Sequence, residues 1–264
     1  MKIIEHATGL TITTPQINVN VDEFTDKPTP VVISHLTPAA ISFLQRPSTA
    51  PVFISQDLYE LLQILTVTGV LKLSLERIQI MPTSYPTIIG DLRITPLPND
   101  DGVCGSVALL IEDAAMAIGY CATFTTHGSK KKRLKKWKRH FRDARIKQFY
   151  FLAATLTAHQ DAPRIFEPDR VLSLLSADSH QTVSPAYGRV LQFLFRQVDH
   201  QLPVQTAAHP TLHLATTVPA SPVATAPTVA ELHDIVTVLQ ASPVPLGTAA
   251  ERAALIKQLG LPEN

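Results

Sequence analysis

Apolar and polar residues alternate with period two in Gly9-Leu10-Thr11-Ile12-Thr13 and in Ile17-Asn18-Val19-Asn20-Val21, so each segment predicts a strand with one buried face. A short apolar strand, Val31-Val32-Ile33-Ser34, then delivers His35 into a turn. Pro38 suits a first helical turn, and the helix it opens should end near Gln45. The strand Pro51-Val52-Phe53-Ile54 follows, and Ser55 is placed to cap a helix carrying Leu58, Leu61, Leu62 and Leu65 on one face. Strand, helix, strand, helix is the alternation of an α/β domain.

Farther along, Ile78-Gln79-Ile80, Thr87-Ile88-Ile89 and Leu92 to Leu97 predict strands, with Gly90-Asp91 as a turn between the last two. A loop from Pro98 to Gly105 leads to strands at Ser106–Glu112 and Ala115–Phe124, and together these segments predict the hairpins of a second sheet. A helix is expected from Lys130 to about Ala144, then a strand over Gln148–Leu152. The C-terminal third predicts helices at Pro168–Leu175 and Pro185–Gln201. After them come a Pro/Ala/Thr/Ser linker over Val218–Thr228, a helix at Val229–Leu239, an extended Pro243–Leu246 and a closing helix at Ala249–Leu259 ended by Gly260. The expected organisation is a core over 1–152, a reduced helical segment with its linker over 153–228, and a strand and helix completing the core over 229–264.

With 264 residues, 45% of them hydrophobic and 17% charged, the chain can bury a sizeable core, and global disorder is excluded. No stretch approaches the roughly 20 apolar residues of a membrane span. The first residues lack the apolar region of a secretion signal, so the expected location is the cytoplasm. Cys104 and Cys121 lie in no C-x-x-C pair, and two buried, reduced thiols are expected rather than a disulfide framework or a zinc knuckle. The net charge of +1 conceals an asymmetry: 11 of the 23 Lys and Arg residues fall between Lys130 and Lys147, where Asp143 is the one acid, and the rest of the chain is net acidic.

Local signatures of common chemistries are missing. There is no G-x-S-x-G elbow, no phosphate-binding G-x-x-x-x-G-K-[ST] and no G-x-G-x-x-G after a strand. The order of elements, with the segment Ser34-His35-Leu36-Thr37-Pro38-Ala39-Ala40, resembles the metallo-β-lactamase superfamily and, within it, the β-CASP nucleases of the ribonuclease J type. The likeness is clearest over Val31 to Leu152. It implies an α/β fold, a four-layer αββα sandwich with a reduced helical insertion. In that family the strand-to-helix turn reads T/S-H-x-H-x-D-H and builds a two-metal site; Thr37, Ala39 and Ala40 stand at its second His, its Asp and its third His. Asp101 falls at or beside a further ligand histidine. Ala117 to Phe124 resembles the strand ending Y-T-G-D-F, with Thr123 at the bridging Asp, and Leu246 to Glu251 resembles the closing G-H-A-S loop, with Thr248 at its histidine.

A catalytic zinc needs about three protein ligands and an open position, and a two-metal clamp needs a bridging group too. Thr and Ala cannot replace imidazoles, so the expectation is a chain without cofactor, whose His35 is a histidine hydrogen-bonded at a strand end. The alternative is a metal-dependent hydrolase or ribonuclease with an atypical zinc site at His35, Asp100 and Asp101, near His127.

The remaining candidate is the basic helix. Leu134, Trp137, Phe141 and Ala144 recur at helical spacing on one face, and Lys130, Lys131, Lys132, Arg133, Lys135, Lys136, Lys138, Arg139 and Arg142 occupy the others. Ser129 is a good cap, but cations in the first turn oppose the helix dipole at roughly 0.3–1 kcal/mol each, a poor trade for structure alone. A solvated face, nucleic-acid backbone contact, and an acidic protein or membrane surface are the readings open to it. Trp137, on the apolar stripe, is expected to anchor the helix. The function expected from all this is that of a non-catalytic relative of RNA-processing nucleases, binding RNA or DNA or pairing with an active homologous nuclease. A scaffold acting by self-association is the second alternative.

Overall fold

The computed structural model describes residues 1–67, 71–99, 105–124, 131–152, 182–183, 204–206, 212–214, 254, 257 and 259–261. Strands β1 (Lys2–Glu5), β2 (Leu10–Thr13) and β3 (Asn18–Val21) form an antiparallel meander. To its last strand β4 (Val31–Ile33), β5 (Val52–Ser55) and β6 (Ile78–Met81) add in parallel, giving the order β1-β2-β3-β4-β5-β6. Parallel neighbours cannot be joined by a tight turn. A loop over 22–30 joins β3 to β4, and the two later crossovers are α1 (Pro38–Gln45) and α2 (Gln56–Val67). Each starts on a side-chain cap: Thr37 Oγ1 accepts the Ala40 amide at 3.0 Å, and Ser55 Oγ accepts the Leu58 amide at 3.2 Å.

The second sheet runs β11-β10-β9-β8-β7, from β7 (Thr87–Ile89), β8 (Leu92–Pro98), β9 (Val107–Glu112), β10 (Ala117–Tyr120) and β11 (Gln148–Tyr150). Gly90 starts the β7–β8 turn at φ +63°, and a Cβ there would lie 2.7 Å from Ile17, so both backbone and space call for glycine. Helix α3 (Lys131–Asp143) is the crossover between the parallel strands β10 and β11.

Two differences from the sequence expectation stand out. Ile78–Ile80 does not open the second sheet: it closes the first, Ile54 facing Ile80 across the ladder. An apolar triplet suits either sheet, and here its place follows from the α2 crossover that precedes it. Within 153–228, β12 (Thr182–Val183), β13 (Val204–Thr206) and β14 (Leu212–Leu214) form a three-stranded sheet, order β12-β14-β13, that the periodicity does not predict. The helices expected at Pro168–Leu175, Pro185–Gln201 and Val229–Leu239, the linker and the extended Pro243–Leu246 lie outside the described residues. Ala254, Lys257 and Leu259 are helical, and Gly260 follows at φ +64° as the expected stop.

Side chains alternate across each strand, and the buried ones sort into layers. Ile12, Val19, Val21, Val32 and Phe53 of the first sheet meet Ile94, Leu109, Ile111, Ile118 and Tyr120 of the second in one central core. The opposite face of the first sheet, with Val31, Ile33 and Ile54, is buried along with Leu58, Leu61, Leu62 and Leu65 of α2. On the far face of the second sheet, Leu97, Ala108, Leu110 and Phe149 pack with Trp137 and Phe141 of α3 and with Leu259 and Leu261. The result is a four-layer αββα sandwich. Gly119 lets α3 approach closely, since a Cβ there would sit 2.8 Å from the Phe141 ring. Trp137 stacks on Phe149 at 5.7 Å between centroids and meets Phe124 edge-on at 5.6 Å, so the helix is anchored by an aromatic cluster. Among the described residues, no helix is long and apolar enough to cross a membrane.

Candidate functional site

Two places carry the sequence candidates: the turn after β4 and the outer face of α3. At the first, Asp22 ends β3 with φ +53°, a conformation that Asp tolerates better than most residues. Its carboxylate folds back onto the next strand. Asp22 Oδ1 accepts the Ser34 amide at 2.8 Å, and Oδ2 accepts the Ser34 hydroxyl at 2.5 Å and the Tyr120 hydroxyl at 2.9 Å. His35 turns its Nδ1 into this cluster, 3.2 Å from Ser34 Oγ and 3.6 Å from Asp22 Oδ2, and the residue is only 8% exposed. The Ser34 carbonyl in turn accepts the Val107 amide at 2.9 Å, linking the end of β4 to the second sheet. Burial, and then the negative charge of Asp22, push the Tyr120 phenol well above its ordinary range, so it remains a neutral donor. Neither Asp22 nor Tyr120 stands out in the sequence. An Asp closing an alternating strand before a turn is the one available signal, and period-two reading says nothing of the tyrosine that reaches it from the other sheet.

The neighbouring β8–β9 connection is held at both ends. Asn99 donates from its backbone to the Ser106 carbonyl at 3.1 Å and from Nδ2 to the Thr123 carbonyl at 2.6 Å, and Arg133 reaches the Asn99 carbonyl at 3.2 Å. Ser55 Oγ, besides capping α2, donates to the Gly105 carbonyl at 2.6 Å. Asp100, Asp101, Cys104, His127 and Thr248 lie outside the described residues. Cys121 is a buried thiol lying 3.4 Å from the Thr123 carbonyl.

The described donor set does not fit a zinc centre. Thr37 uses its hydroxyl as the cap of α1, Ala39 is exposed, and Ala40 is fully buried with no donor to offer. His35 lies beside the Asp22 carboxylate, and among the described residues no group of three or more His, Cys, Asp or Glu is arranged to hold a metal ion.

On α3, Trp137 and Phe141 are fully buried and Leu134 and Ala144 partly so, which fixes the outward direction of the cations. Lys132, Lys135, Lys136, Lys138, Arg139 and Arg142 line a groove of about 410 Å³. Burial, with the nearby charge of Arg142, lowers the Lys138 pKa. Among the described residues, no ion pair joins these six side chains to a carboxylate. Lys136 Nζ instead donates to Ser84 Oγ at 3.0 Å. Arg133 turns inward to Asn99, as described, and Lys131 starts the helix; Lys130 precedes the described part.

No protein-family model and no curated protein matches the chain. Among solved structures, it is similar to a protein of unknown function from Enterococcus faecalis V583, at 14% identity over 66% of this chain and 45% of that one, TM-score 0.42. It is also similar to Zn²⁺-bound PqqB from Methylobacterium extorquens, at 10% identity over 55% of this chain and 59% of that one, TM-score 0.40. A third is the metallo-β-lactamase MIM-1 from Novosphingobium pentaromativorans, at 12% identity over 72% and 84%, TM-score 0.39. The chain thus spans about half the length of the first two. The αββα sandwich described above rests on its own strand order and buried layers.

Proposed function

We propose that this chain is a non-catalytic protein on a metallo-β-lactamase-like scaffold, related in type to the RNA-processing β-CASP nucleases, and that it binds the phosphate backbone of nucleic acid through α3. The observation that carries the reading is the groove of six cations on a helix whose other face is locked into the core. Crowded like charges, one of them partly desolvated, favour an anion over water in that groove. Cations at helical spacing along a rigid axis match a polymer of phosphates, and each neutralised phosphate releases counterions. The commitment of the Thr37 hydroxyl to the cap of α1, and the methyl side chains of Ala39 and Ala40, support the non-catalytic part of the reading.

The test is anisotropy titration of fluorescein-labelled RNA and DNA oligonucleotides from 50 to 300 mM salt, with anionic vesicles as a parallel probe. Binding should fall with a logarithmic slope of about −3 to −4 for a single strand, if four to six cations contact phosphate. A Lys135→Glu/Lys138→Glu/Arg142→Glu variant should abolish it. Absence of oligonucleotide binding at 50 mM salt, or binding to vesicles alone, overturns the proposal.

A further inference from the structure

Beside the cationic groove, the chain turns through Pro82-Thr83-Ser84-Tyr85 between the two sheets. The Tyr85 amide donates to the Pro82 carbonyl at 3.1 Å, closing a four-residue turn whose third member, Ser84, has φ +67°. A serine rarely adopts that conformation, and it persists here because Ser84 is held on two sides: its amide donates to the Pro96 carbonyl at 2.7 Å and its hydroxyl accepts from Lys136 Nζ at 3.0 Å. The consequence is an aromatic residue presented to solvent immediately after the one that Lys136 of the basic helix contacts. Tyr85 is 69% exposed, and Pro86 follows it to stiffen the exit from the turn. Ile88 on β7 is 66% exposed, and Arg93 stands opposite it across the ladder.

We propose that Tyr85 is a base-stacking platform and that this face selects single-stranded nucleic acid over duplex. The inference rests on the nucleic-acid reading above and adds the class of strand. Phosphates would lie along Lys132, Lys135, Lys136 and Arg139, and an unpaired base would cover the Tyr85 ring. A duplex keeps its base faces stacked inside and can use the cations alone. Aromatic rings beside a cationic track are how sequence-tolerant single-strand sites gain affinity, because every base has a π-face. Lys136 joins the two parts: through Ser84 it fixes the turn against the helix and so sets the ring beside the phosphate track.

The experiment compares the full chain with Tyr85→Ala, Tyr85→Phe and the triple charge reversal Lys135→Glu/Lys138→Glu/Arg142→Glu, using an unstructured 12-nucleotide RNA and a 12-base-pair RNA duplex at one salt concentration. Tyr85→Ala should weaken the single strand about tenfold and leave the duplex unchanged. Tyr85→Phe should restore single-strand binding, which a loss of turn structure would not allow. Equal effects of Tyr85→Ala on both ligands, or none on either, overturn the stacking platform. If the charge reversal still abolishes binding in that case, the nucleic-acid reading survives without it. Unchanged binding by the charge-reversed variant overturns both.

Discussion

The Tyr120 hydroxyl donates to Asp22 Oδ2 at 2.9 Å, joining side chains 98 positions apart and tying β10 to the end of β3 in the other sheet. Asp22 is 3% exposed, and its carboxylate accepts from the Ser34 amide, the Ser34 hydroxyl and Tyr120, with the His35 ring 3.6 Å away.

Tyr120→Phe should therefore cost about 1.5–3 kcal/mol at pH 7, the range for a hydrogen bond to a charged group. Its pH dependence is informative too. The folded phenol keeps its proton at a pH where the unfolded one, near pH 10, loses it. The unfolded state then binds fewer protons, so this contribution is complete below about pH 10 and declines as pH rises above it. Urea titrations from pH 7 to 11 should show the gap between wild type and Tyr120→Phe narrowing above pH 10. A gap that widens or stays constant contradicts the assignment.

Gly105→Ala should destabilise by about 2 kcal/mol or more. Gly105 has φ +77°, and a Cβ would lie 2.5 Å from the Leu58 backbone nitrogen, inside the capped first turn of α2. The denaturation midpoint should drop with an unchanged slope; a midpoint equal to wild type would mean that the loop and helix part easily.

Trp137→Ala should cost about 3–5 kcal/mol through the cavity it leaves among Phe124, Phe141 and Phe149. Because the same residue seats the helix, oligonucleotide affinity should fall as well, although no charge is removed. Affinity held at the wild-type value would show that the cations act without a docked helix.

Chelation should leave the melting temperature within about 1 °C, since a metal that bound only the folded state would raise it by mass action. Elemental mass spectrometry of unchelated protein should find well below one ion per chain. Stoichiometric zinc lost on mutating Asp101 would restore the hydrolase alternative.

Much of this architecture is legible from local pattern. The alternation in β2 and β3, the four buried leucines of α2 and the stripe Leu134, Trp137, Phe141 all report one buried face, and burial is what periodicity encodes. Sheet membership is another matter: Ile78–Ile80 has the same apolar character whichever sheet receives it, and only the parallel ladder with β5 decides. The strands β12–β14 are two or three residues long, too short to show a period. At the candidate sites, the charge run announced the basic groove, whereas Tyr85 and the Asp22–Tyr120 bond depend on which distant segments meet. His35 is conspicuous in the sequence for the ligands missing around it; Ser34 precedes it in the chain, whereas Asp22 reaches it from a positive-φ residue after β3 that no spacing rule marks.

Thr37 and Ala40 restrict what the turn after β4 can hold. The hydroxyl of Thr37 caps the start of α1, and the methyl of Ala40 occupies a position with no solvent-accessible surface. A histidine at 37 would take away the cap, and a histidine at 40 would need a volume that the packed layer under α1 does not have. Placing imidazoles at these two positions would thus remove a helix cap and overfill the core in the same turn, so the packing that holds α1 in place is also what keeps its first turn closed to metal ligands.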